Sequence, residues 1–130
     1  VRVSAGGGAF IDAETEIGMW PFPRDYVFHN LSIASSQQLA IVEVIGDSME
    51  PTLRSGDKIL VDLSDTNPAT PGVFVMYDGG GTVVKRIERL PATEPAMLRL
   101  VSDNPLHGKY EVLASDIKIV GRVVWYGRRL

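Results

Sequence analysis

Residues Leu39–Asp62 read LAIVEVIGDSMEPTLRSGDKILVD. Two apolar runs rich in branched side chains, Leu39 to Ile45 and Lys58 to Asp62, are separated by turn-forming Gly46 and Ser55-Gly56-Asp57. That pattern reads as strand, connection, strand. Between the runs only Met49 to Arg54 has room for a helical turn, beginning at Ser48. The same rhythm continues down the chain. Val73–Tyr77 (VFVMY) and Thr82–Leu90 (TVVKRIERL) flank Asp78-Gly79-Gly80-Gly81, the pattern of a hairpin. Leu98–Ser102 stops at Asp103-Asn104-Pro105, and Ile117–Tyr126 (IKIVGRVVWY) carries Gly121 as an expected bulge. The expected fold is mostly β, with partial barrel or sandwich character and a short helical turn at Ser48.

The residues before Leu39 differ in character. They hold a glycine triplet, Gly6 to Gly8, an acidic stretch with Asp12, Glu14 and Glu16, and the run WPFPRDYVF with Pro21 and Pro23. Proline removes a backbone donor and interrupts a regular helix. We read residues 1–38 as an extended, partly mobile arm with at most one short helix, and residues 39–130 as the folded domain.

Bulk composition narrows the classes of function. The chain has 130 residues, 45% hydrophobic and 22% charged, enough for one domain with its own core. It has no cysteine, which excludes disulfides, thiolate zinc sites and a cysteine nucleophile. A net charge of −3 has the wrong sign for gripping nucleic acid unaided. No apolar run reaches membrane-span length, so the expectation is a soluble, cytoplasmic protein with no membrane partner. No cofactor and no metal site is expected: Asp12, Glu14 and Glu16 read as a solvated run. Asp78–Gly81 lacks the helix and Lys-Ser/Thr pair of a phosphate loop.

Ser48 admits two readings. A serine at the start of a helical turn caps free backbone N–H groups. A nucleophile there also gains, because unpaired N–H groups can hold a developing oxyanion. A serine hydroxyl needs a base beside it to react near neutral pH. His29 and His107 lie in the arm and in a turn, away in sequence from other reactive groups, and read as surface histidines. Lys85 is the other candidate base. Period-2 spacing in TVVKRIERL puts Val83, Lys85 and Ile87 on one face, the expected core side. Burying an ammonium is unfavourable, so an inward lysine tends toward the neutral amine, a competent base. The competing reading is a lysine that snorkels outward along an edge strand.

Gly46-Asp47-Ser48-Met49-Glu50-Pro51-Thr52-Leu53, then Gly56-Asp57, Val61-Asp62, and Lys85 thirty-seven positions after Ser48, resemble the C-terminal domain of LexA-like repressors. This is the self-cleaving Ser-Lys (S24-type) peptidase family that includes LexA, phage repressors and UmuD. The resemblance implies a mostly β fold, Ser48 as nucleophile and Lys85 as neutral general base. It implies an oxyanion hole from the backbone N–H of Ser48 with that of Asp47 or a near neighbour, and Met49 lining the site. The family cuts its own chain at an Ala-Gly or Cys-Gly bond. The one Ala-Gly pair here is Ala5-Gly6, in the arm; the competing reading makes VSAGGGA a plain linker.

The resemblance further implies a homodimer, a RecA filament as co-protease in an SOS-type response, and DNA contact only through a helix-turn-helix domain preceding Val1. The apolar strand Ile119–Trp125, with Trp125 and Tyr126, is a candidate dimer surface; the alternative is a central core strand. The arm is longer than in LexA or UmuD and contains the insertion-like Trp20–Phe28. Three rival functions remain beside the self-cleaving repressor domain. These are a non-cleaving oligomerisation or effector module, a UmuD-like polymerase accessory protein and, last, a signal peptidase, which would need a membrane anchor.

Overall fold

A computed structural model describes residues 2–5, 19–31, 33, 38–92 and 94–130. Among the described residues nine strands form one sheet. They are β1 (Arg2–Ala5), β2 (Met19–Pro21), β3 (Leu39–Glu43), β4 (Lys58–Asp62), β5 (Gly72–Tyr77), β6 (Thr82–Arg89), β7 (Met97–Val101), β8 (Lys109–Leu113) and β9 (Lys118–Gly127). Their order is β2-β1-β3-β4-β9-β5-β6-β7-β8, with β1–β3 the parallel pairing. The fold is mostly β as expected. Its barrel character stops short of closure: the sheet stays open, with β2 and β8 at its edges.

The apolar run that opens β3 does not alternate because both of its faces are covered. Leu39 and Ile41 join Leu60 in one buried cluster with Phe22, Val27 and Ile33. Ala40 and Val42 join Ile59 and Val61 in another, with Met49 and Leu53. A strand buried on both sides reads as a continuous apolar stretch. The first cluster also shows what the residues before Leu39 do. Phe22, Val27 and Ile33 cap one face of the sheet, and Tyr26–Asn30 form a short π-helical stretch just after Pro23. β1 and β2 pair with each other and extend the sheet beyond β3. The arm reading allowed at most one short helix and anticipated neither strand. A third cluster, Phe74, Met76, Ile87, Leu98 and Leu100, lies under β5, β6 and β7.

The segment after Ser48 is a pair of linked turns, the second the single helical turn expected there: Glu50 N–H donates to the Asp47 carbonyl, and Leu53 N–H to that of Met49. Pro51 has no N–H to extend a helical ladder, and it disfavours helical geometry at Glu50. The Ile119–Trp125 stretch lies in β9, between β4 and β5 within the sheet, and is mostly half-buried. Trp125 packs edge-on against Phe22, with ring centres 5.0 Å apart.

Gly121 sits at an irregularity in the β5–β9 register, as its place in the sequence suggested. A Cβ there would lie 2.4 Å from the Asp62 carbonyl oxygen, a backbone atom held in β4. Gly121→Ala is therefore expected to destabilise the fold by about 1–3 kcal/mol, the usual cost of forced overpacking. Urea denaturation, with the midpoint falling at unchanged slope, checks this.

Candidate active site

The turn carrying Ser48 is pinned at several points. Gly46, with φ of +87°, turns the chain after β3 in a conformation that favours glycine. Met49 and Leu53 are both 2% exposed and anchor the turn in the core beside Val42 and Val44. At its far end the buried Asp57 carboxylate accepts from Arg54 N–H at 2.9 Å and from Arg128 Nε and Nη2 at 2.8 and 2.7 Å. The Arg128 hydrogen bonds hold that carboxyl below its usual range, outweighing burial. Asp62 likewise fixes a strand end, accepting from Ser64 N–H and Oγ.

Lys85 comes from β6. Arg86 pairs with Val101 in the β6–β7 register, so the position opposite Lys85 is Ser102. Lys85 Nζ donates to Ser102 Oγ at 2.6 Å. Ser48, Met49 and Lys85 line one cavity of about 190 Å³, together with Val42–Ile45, Val75 and Thr82–Val84. A space of that size admits small side chains. Lys85 is half-buried there, neither a core side chain nor one that snorkels clear of the fold.

The connection between β7 and β8 holds this arrangement from behind. Asn104 N–H donates to the Ser48 carbonyl at 3.0 Å, and Asn104 Nδ2 donates to the Asp47 carbonyl at 3.0 Å. His107 Nε2 lies 2.7 Å from Asp47 Oδ1. Asp103 accepts from Arg86 Nε and Nη2, both at 2.8 Å, and from Thr52 Oγ1 at 2.5 Å. One short loop thus contacts Lys85 through Ser102 and the Ser48 turn through Asp103, Asn104 and His107. None of the four was singled out from the sequence as a site residue. Strand parity carried the signal for Ser102, which falls opposite Lys85 once TVVKRIERL and LRLVS are paired. The turn signal Asp103-Asn104-Pro105 marked the loop without indicating what it grips. His107, read as a loop histidine, is exposed but rests on Asp47, the neighbour of Ser48.

Other expected features fall elsewhere. Ala5 ends β1 and pairs with Ile41 of β3, one residue before Val42 begins the cavity wall. Gly6 lies outside the described residues, as do Asp12, Glu14 and Glu16. His29 is exposed at the end of the π-helical stretch. Among the described residues no cluster of His, Cys, Asp or Glu could hold a metal ion. Among them, too, no helix is long and apolar enough to cross a membrane. A larger hollow of about 640 Å³ lies by Glu43, Asp57, Lys58, Arg128 and Arg129. Its charges are largely spoken for, because Glu43 pairs with Lys58 and Asp57 with Arg128.

The mostly β fold is the one the sequence resemblance implied, and direct comparison agrees on the family. The Peptidase S24-like family model matches residues 1–124, and the chain belongs to that family. It is similar to a protein of Haemophilus influenzae (strain ATCC 51907 / DSM 11121 / KW20 / Rd) named as an uncharacterized HTH-type transcriptional regulator. The two are 30% identical over 136 residues, covering 100% of this chain and 54% of the relative. It is also similar to the 26 kDa repressor protein of Escherichia phage HK022. That identity is 27% over 114 residues, covering 86% of this chain and 47% of the relative. The chain spans about half the length of these curated relatives.

The Asp103 clamp has a pH signature. Hydrogen bonds from Arg86 hold its carboxyl below the ordinary carboxylate range. A lowered folded value stabilises the fold above the unfolded value, near about 4, and the contribution is lost as pH falls through the lowered one. Arg86→Gln should therefore lower the melting temperature at pH 7, and its gap to the parent should narrow at acidic pH below about 4. Thermal melts of both chains from neutral to acidic pH test this.

Proposed function

We propose that this domain is the regulatory half of a transcriptional repressor, and that it cuts its own chain at Ala5-Gly6. The observation that carries the reading is the cavity shared by Ser48 and Lys85, residues far apart in sequence. The pairing of Ala5 with β3 supports the choice of bond, because β3 leads directly into the cavity wall. The small volume suits alanine and glycine.

In the proposed reaction Ser48 Oγ attacks the Ala5 carbonyl carbon while its proton passes to Lys85 Nζ. The tetrahedral oxyanion is met by backbone N–H groups of the turn around Ser48. The Ala5–Gly6 bond then breaks, and the Lys85 ammonium returns the proton to the departing Gly6 amine. Water, deprotonated by Lys85, releases Ala5 as a carboxylate and regenerates Ser48. A neutral amine has two N–H bonds and one lone pair. Donation to Ser102 uses one N–H and leaves the lone pair for the serine proton.

Tethering the scissile bond to the catalytic domain replaces a bimolecular encounter with an intramolecular one. Two copies pairing would bring two DNA-binding heads to a palindromic operator, and cleavage would separate the heads from the pairing domain. DNA contact would belong to a separate helix-turn-helix domain, as the Haemophilus relative's name suggests. A RecA filament is the co-protease this reading names.

A silent dyad is the second reading. The hydrogen bond that Lys85 gives to Ser102 favours it, because the amine is engaged with a group other than Ser48.

Intact mass against time separates the two. The lysine acts only after losing its proton, so cleavage at Ala5-Gly6 should accelerate as pH rises. Ser48→Ala and Lys85→Ala should each reduce it to background, a loss of at least about 1,000-fold. Assays with and without RecA filaments distinguish stimulated from spontaneous cutting. A folded parent whose mass never changes under any of these conditions contradicts the self-cleavage proposal. Sedimentation of the intact chain tests the pairing.

A further inference from the structure

β8 ends the sheet, and its outer side meets no other strand among the described residues. The pairing with β7 decides which of its backbone groups look outward. Ser102 N–H donates to the Gly108 carbonyl at 3.2 Å, and Ala114 N–H to the Ala96 carbonyl at 3.0 Å. Bonded and non-bonded pairs alternate along an antiparallel ladder, so Tyr110 and Val112 also turn their backbone groups toward β7. The N–H and C=O groups of Lys109, Glu111 and Leu113 therefore point away from the sheet. Unpaired groups of this kind are a template for a further strand.

Side-chain charge indicates what that strand carries. Glu88 of β6 lies opposite Arg99 of β7, and Arg99 lies opposite Glu111. Arg99 Nη1 is 3.7 Å from Glu88 Oε2, and Arg99 Nη2 donates to Glu111 Oε1 at 3.1 Å. The row runs anion, cation, anion and stops at the open edge, where the Glu111 side chain is half-exposed. Continued onto another strand, it calls for a cation. Lys109, two residues before Glu111, shares its face of the sheet and is exposed. It has no acidic partner among the described residues. A lone lysine on an edge strand ordinarily guards against pairing. Here the cation that the row lacks and the anion that Lys109 lacks lie on one strand, so a second copy supplies both.

The register follows from the same charges. Two β8 strands laid antiparallel, with Tyr110 opposite Tyr110, set Lys109 of each against Glu111 of the other. The outward backbone groups of those residues then exchange hydrogen bonds. Tyr110, itself 44% exposed, falls at a non-bonded position, where side chains come closest. Moving the centre one residue either way opposes Glu111 to Glu111 or Lys109 to Lys109, and like charges directly opposite are destabilising.

We propose that β8 is a pairing edge for a second copy of this chain, joined antiparallel about Tyr110 through reciprocal Lys109–Glu111 contacts. Such a contact is isologous and closes as a twofold pair. It names a surface for the pairing proposed above and rests on that pairing; it does not depend on cleavage by Ser48.

The test uses the full chain at rising concentration and low salt. In the unaltered chain the Lys109 and Glu111 amides should gain protection from hydrogen exchange as sedimentation shows pairs forming. Lys109→Glu and Glu111→Lys each oppose like charges in self-pairing, and each should weaken it about 10-fold or more. Mixed in equal amounts, the two variants oppose Glu to Lys at both places, and pairing should return between unlike chains. The chain has no cysteine, so Tyr110→Cys adds a single thiol. Two such thiols meet at a backbone spacing that a disulfide accepts. Oxidation should join Tyr110→Cys chains faster than Leu106→Cys chains, whose thiol is at the more exposed position.

If the chain pairs while both charge variants pair equally well, the β8 proposal falls and the pairing belongs to another surface. A chain that sediments as a monomer at every concentration overturns the pairing and the β8 proposal together. Edge amides whose protection ignores concentration overturn the β8 proposal on the unaltered chain, even if the variants fail to fold.

Discussion

The connection between β7 and β8 is the constraint on which the site depends. A serine on a turn and a lysine on a distant strand need a common frame, and in this fold the loop supplies it. Ser102 is held opposite Lys85 by the β6–β7 register. Two residues later, Asn104 holds the backbone on either side of Ser48. Between them, Asp103 ties Arg86 of β6 to Thr52 of the Ser48 turn. Charge-assisted, two-pronged pairs such as Arg86–Asp103 fix geometry as well as adding attraction. A displacement of the loop would disturb Lys85 and the Ser48 turn together.

The platform beneath this frame is stiff because it is covered on both sides. β3 and β4 bury alternate side chains in two separate clusters, one capped by Phe22, Val27 and Ile33 and the other by Met49 and Leu53. Met49 and Leu53 beyond Ser48 are therefore part of the core, and Ser48 is carried on an anchored turn. The same coverage ties Phe22, Val27 and Ile33 to β3 and β4. β1 runs alongside β3, so a bond near the end of β1 lies on a short path to the cavity. Under the proposed function, substrate delivery would be a local movement of an attached strand.

Much of this was readable in the sequence, for reasons that differ by element. Strands β4, β5 and β6 announced themselves through branched residues bounded by Gly, Pro and Asp. Parity along TVVKRIERL placed Lys85 on the face of Ile87, which is fully buried. β8 escaped notice because Lys109, Tyr110 and Glu111 are exposed on an edge strand, where no apolar alternation is needed. β1 and β2 escaped because such short strands carry little signal of their own and exist through pairing. The packing of half-buried Trp125 against Phe22 joins residues about a hundred positions apart, which no local pattern could announce. Asn104 was visible only as a turn residue, since its partners are set by tertiary structure.

The most direct test of the central claim is to replace the amine and then restore it. The chain has no cysteine, so Lys85→Cys introduces a single thiol. Alkylation with 2-bromoethylamine converts that thiol to an amine of nearly lysine length, made less basic by the sulfur. The account predicts that the cysteine chain is inert. It also predicts that the aminoethylated chain cleaves at Ala5-Gly6, with its pH–rate curve displaced toward lower pH. A folded, fully alkylated chain that stays inert, or that cleaves with an undisplaced curve, would contradict Lys85 as the base.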